Sequence, residues 1–139
     1  MSRDRDELRS RCDRIEEAYE FMLAYAAQGL QTDRGSGAGA QVREFLRKAD
    51  EALHGLADLF RDLVSREQVE PADKYHVFIA VLARDASDAQ AAIQLVLAQP
   101  SISSQLVDNL NASIHVRALL TDLFLIDEIL KNAPQQRAD

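Results

Sequence analysis

The sequence predicts an all-α protein, an antiparallel (up-down-up-down) four-helix bundle, and three observations carry that reading. Apolar residues recur at i, i+3, i+4 and i+7 through four stretches of roughly 25 residues each. The five glycines and three prolines are few and sit between those stretches, which favours helices over short strands and turns. The connections are mostly short, so consecutive helices are expected to lie antiparallel.

Asp4 and Glu7 have capping-box spacing, with Asp serving as the cap. From there Leu8, Cys12, Ile15, Tyr19, Met22 and Ala26 fall on one side of helix one. Its second half, Ala18 to Ala27, is apolar nearly all round, because Phe21 and Tyr25 sit away from the Ile15 side. Gly29 is well suited to end it. Residues 30–40 contain Gly35, Gly37 and Gly39 and are expected to form a flexible linker, since alternate glycines cost helix and strand alike too much backbone entropy. Helix two is then expected from about Gln41 to Ser65, with Val42, Leu46, Ala49, Leu53, Leu56 and Phe60 on its core stripe.

Glu70-Pro71-Ala72-Asp73 restarts the chain, with Pro at the first helical position and an acid in the first turn. Tyr75, Phe78, Ile79, Leu82, Ala86, Ala89, Ile93 and Val96 continue in helical register to about Ala98. Ser87 to Gln90 again has capping-box spacing, so a split near Asp85, giving five helices, is the alternative. Pro100 ends this helix and Ser101 or Ser103 caps the last, which runs to about Lys131. Residues 132–139 read as a frayed polar tail. Within the last helix, Leu119, Leu120, Leu123, Phe124, Leu125, Ile126, Ile129 and Leu130 leave Asp122 as the polar gap, so this helix asks to be covered from several directions.

At 139 residues the chain is read as one domain able to bury a core without staples. A net charge of −7 argues against a nucleic-acid partner or an anionic membrane surface. No apolar run approaches the length of about 20 residues that a spanning helix needs. The charged N-terminal residues lack a signal-peptide core. A single cysteine, Cys12, cannot form an internal disulfide, which fits a reducing cytoplasm.

Candidate chemistry is sparse. Glu51-Ala-Leu-His54 is the Glu-x-x-His element that di-iron bundles use twice. Glu51 and His54 lie about 200° and about 140° from the Ala49–Leu53 core direction on a helical wheel. Both therefore belong to the wet face, and His115 has Ala112 where a second such element needs an acid. Neither His76 nor His115 has a recognisable nucleophile arrangement around it. The run from Gly35 to Gly39 lacks the Gly-Lys-Ser/Thr ending of a phosphate loop. No catalytic residue, metal or cofactor is predicted. What stands out is surplus apolar surface. Phe21, Tyr25, Val77, Val81, Leu119, Ile126 and Ile129 lie in stretches too apolar for one bundle core to cover, and such patches mark protein contacts. The expectation is a non-enzymatic interaction protein, self-associating as a dimer along the second half of helix one and the last helix. The competing reading is a ligand-binding or catalytic bundle with a pocket near Tyr19, Tyr25, Tyr75 and His115.

Overall fold

The computed structural model describes residues 3–132, and among them the regular secondary structure is helical, with no strand. The helices are α1 (Arg3–Ala27), α2 (Gly37–Leu53), α3 (Leu56–Arg66), α4 (Ala72–Leu97), α5 (Ser104–Ala112) and α6 (Ile114–Asn132). The tail expected at 132–139 lies, apart from Asn132, outside the described residues.

Two of the four expected helices are broken, and neither is the third. The second breaks at Gly55, whose φ of 71° is a left-handed conformation that only glycine adopts cheaply. The fourth breaks at Ser113, which is extended and whose Oγ accepts the Val116 N–H, so that it starts α6. By contrast α4 runs unbroken past Asp85. Gln90, the apparent capping partner of Ser87, instead donates from Nε2 to the Asp50 carbonyl and carboxylate at 3.1 Å each. It ties α4 to α2 rather than starting a helix.

Helix α2 begins at Gly37, four residues before the start the glycine run suggested. Ser36 supplies the cap: its Oγ accepts the Gly39 N–H at 2.9 Å. Gly39 is inside the helix because the loop crosses directly over it. A Cβ there would stand 1.8 Å from the Asp33 carbonyl oxygen, so no other residue fits.

That loop is pinned, not slack. Asp33 accepts from Arg43 Nε and from the Ile102 N–H, each at 2.7 Å. Arg43 spends its other nitrogens on the Leu97 and Gln99 carbonyls, at 3.0 and 2.8 Å. Ser104 N–H donates to Leu30 O while Leu30 N–H donates to Ser104 Oγ, both at 2.8 Å. The α1–α2 and α4–α5 connections thus form one polar clasp at an end of the molecule.

At the opposite end Arg5 pairs with Glu67 and Arg66 with Asp4, which sets the start of α1 beside the end of α3. Arg5 also donates to the Leu130 carbonyl, bringing the end of α6 to the same pole. Helix α1 packs against α2, α3 and α5, and α4 against α2, α3, α5 and α6. Between them lies one core that includes Ile15, Met22, Leu46, Phe60, Leu82 and Leu123. Each fully buried side chain of this kind contributes on the order of 2 kcal/mol before entropy costs.

Candidate interaction face on α4 and α6

The seven residues read as interface separate into three groups. Tyr25, Leu119 and Ile126 are in the interior, at most 2% exposed. Phe21 and Val81 are half-buried. Val77 and Ile129 stand in solvent at 69% and 44%.

Most large apolar side chains in the second half of α1 are therefore covered, with Leu23 left in solvent at 47%, and the reason is local. That stretch is sandwiched by α2 on one side and α5 on the other. Phe21 stacks on Phe45 of α2, ring centres 4.5 Å apart. Tyr25 reaches under the α4–α5 corner, where its hydroxyl donates to the Ile102 carbonyl at 2.7 Å and its own carbonyl accepts from Ser104 Oγ at 2.6 Å. Splitting the last helix at Ser113 provides α5 as this second cover, which a four-helix layout lacks.

The other exposed large apolar residues lie on α4 and α6. On α6, Ile114, Phe124, Leu125 and Ile129 face outward. On α4, Val77 and Leu95 do so, with Val81 next to Val77 half-covered. The two helices meet at Asp85 and Asp122, whose carboxyls interact directly. Because the end of α6 and the start of α4 share a pole, Val77 and Ile129 lie on the same side of that pair, about 12 and about 10 Å along their helices. At about 100° per residue, Val81 and Ile129 stand next to the seam, and Val77 and Leu125 further out. Together they make a face that crosses from one helix to the other.

Asp122, the polar gap of its helix, is a functional-looking residue that periodicity alone does not single out. It is 8% exposed, and its Oδ2 is buried without a hydrogen-bond partner. Burial foremost, and then the Asp85 carboxyl, push its pKa from 3.8 to about 7. The signal was present: an acid inside a helix that asks for cover on several sides has little chance of staying wet.

The other candidates are dispersed. Of the four residues proposed for a pocket, Tyr25 is sealed in the core with its hydroxyl bonded to backbone, Tyr19 and Tyr75 are half-buried, and His115 is exposed. Glu51 and His54 are both exposed, and His54 ends α2 with its N–H on the Glu51 carbonyl. Among the described residues no three His, Cys, Asp or Glu side chains gather as a metal site would require. Cys12 borders a slot of about 60 Å³ with Leu8, Phe60, Leu63 and Leu130. Burial, and then the nearby Asp127, push its thiol up to about 12, so little thiolate forms near neutrality. No helix of the described residues is long and apolar enough to cross a membrane. Comparison of the chain with protein-family models, with characterised proteins and with solved structures finds no match.

Proposed function

We propose that this chain is a non-enzymatic helical interaction protein, of the kind that serves as an assembly factor, small chaperone, adaptor or regulatory subunit. Its docking surface is the outward face of α4 and α6, and the observation that carries this is the exposure of Val77, Leu125 and Ile129 at 69%, 50% and 44%. Large apolar side chains left in water on adjacent helices gain on the order of 1–2 kcal/mol each when a partner covers them. The occupant proposed is a second copy of the chain. Two helices presenting one continuous face can meet their own copies across a two-fold axis, each protomer supplying the same residues. Within each protomer the helical runs are read as an up-down-up-down bundle, two of them kinked at Gly55 and Ser113. The net charge of −7 and the half-buried lone cysteine support a cytoplasmic protein without a nucleic-acid or membrane partner.

Leu125→Glu and Ile129→Glu, each placing a charge on an exposed site, test this. The wild type should scatter light as a dimer and both variants should shift towards the monomer with helical circular dichroism unchanged. Like charges on the two copies repel, so dimerisation of the wild type should strengthen as salt is added. A wild type that is monomeric at all accessible concentrations removes the self-association reading.

A further inference from the structure

Among the described residues, Asp122 is the buried acid of the core, and its surroundings are unusually one-sided. Asp85, half-exposed on α4, faces it across the seam. Other ionisable groups are near in sequence or on helices packed against α6. Arg84 and Asp88 on α4, Asp108 on α5, and His115 and Arg117 on α6 are all exposed. Asp85 is the one charged group that acts on the Asp122 carboxyl. Among the described residues no cation is hydrogen-bonded to it, although Arg117 lines the same open groove, and Oδ2 has no donor from backbone or side chain. Two ionised carboxylates in this position would face each other with the Asp122 Oδ2 shut off from water, although the residue lines that groove with Arg117 and Thr121, and that is costly. A proton on one of them turns the repulsion into a hydrogen bond.

We propose that Asp85 and Asp122 form a proton-operated latch between α4 and α6, closed when the pair holds one proton and loosened when both carboxyls are charged. The seam it controls is where α6, the last helical element described, lies on α4. Loosening it frees α6 along the level of Asp122 while the clasp at the α1–α2 and α4–α5 connections, which involves no residue of α6, stays in place. The inference does not depend on the docking reading, since the latch acts within one protomer.

The sign follows from proton binding. Asp122 has a raised pKa when folded, so between the ordinary carboxylate value of 3.8 and about 7 the folded protein holds a proton that the unfolded chain has lost. Stability contributed by the pair is therefore greatest at the acidic end of that window, falls as pH rises through it and levels off above. Replacing the acid by its neutral, isosteric amide should remove the dependence. Denaturant unfolding of wild type and Asp122→Asn across pH 4 to 8 reads this directly. The unfolding constant of the wild type should rise relative to that of the variant by up to about tenfold per pH unit inside the window and run parallel above it. Parallel profiles throughout overturn the latch. Should Asp122→Asn fail to fold, carboxyl-carbon NMR of the wild type gives the same decision: a titration midpoint for Asp122 above 6 supports the proposal, and one in the ordinary carboxylate range ends it. Amide exchange, corrected for intrinsic rates, locates the opening. Protection in α6 should be lower at pH 8 than at pH 6 in the wild type, and equal protection means that the seam does not open.

Discussion

Tyr25 shows what the residue scale can and cannot predict. Its placement on an apolar, all-round segment was plain from the sequence, but an apolar residue with no obvious partner can lie in a core or on a surface. Its hydroxyl decides the case: it reaches the Ile102 carbonyl, a partner 77 positions away. Burial raises the pKa of that phenol, first by desolvation and then through Asp33, so it remains a donor at any working pH. Tyr25→Phe keeps the ring, its stacking against Phe21 and the volume filled. It leaves a buried carbonyl short of a donor, which should cost about 1–2 kcal/mol in chemical denaturation. A loss near zero would show that the Ile102 carbonyl finds another donor. Asp122 makes the converse point. Its helix was recognised as needing cover on several sides, and following that requirement through places Asp122 inside.

At the scale of elements, periodicity gave the helical stretches well, because each buries a stripe with a 3.6-residue repeat. The breaks were harder. Gly55 stands inside an unbroken apolar rhythm running from Leu53 to Leu56, and both those leucines are buried. Nothing in that rhythm says that the helix axis turns between them. Ser113 was hidden for the same reason. The start of α2 was misjudged by treating its glycines alike, and they are not alike. Gly37 has open space where a Cβ would go, whereas a Cβ on Gly39 would collide with the Asp33 carbonyl. Helix propensity alone favours alanine at both sites by up to about 1 kcal/mol. Gly37→Ala should therefore be neutral or slightly stabilising. Gly39→Ala should be destabilising by at least about 2 kcal/mol, since relieving the clash means lifting the loop that carries Asp33. Thermal unfolding of the two variants side by side checks this, and equal midpoints would mean that the loop yields without cost.

For the whole molecule, the sequence indicated surplus apolar surface along the second half of helix one and the last helix, and the large apolar residues left exposed lie on α1, α4 and α6. The surplus was counted against a four-helix core, and α5, a short helix cut from the last stretch, covers the side of α1 that was thought bare. Apart from Leu23, what is left over lies on α4 and α6, where Val77 and Ile129 were already expected and Leu125 joins them. The clasp that holds α5 in this position also has a kinetic meaning. Arg43 joins Asp33, ten positions away, to the Leu97 and Gln99 carbonyls, 54 and 56 positions away. Those long-range bonds require α2 and the end of α4 to be docked, and closing so long a loop is costly, so they are expected to form late in folding. Interactions absent from the transition state set the rate of unfolding and leave the rate of folding alone. In a chevron analysis, Arg43→Ala should raise the unfolding limb by about tenfold while the folding limb barely moves. A slowed folding limb would instead make the clasp part of the nucleus. On this account the single arginine governs how long the native state lasts once reached, and has little bearing on how fast it is found.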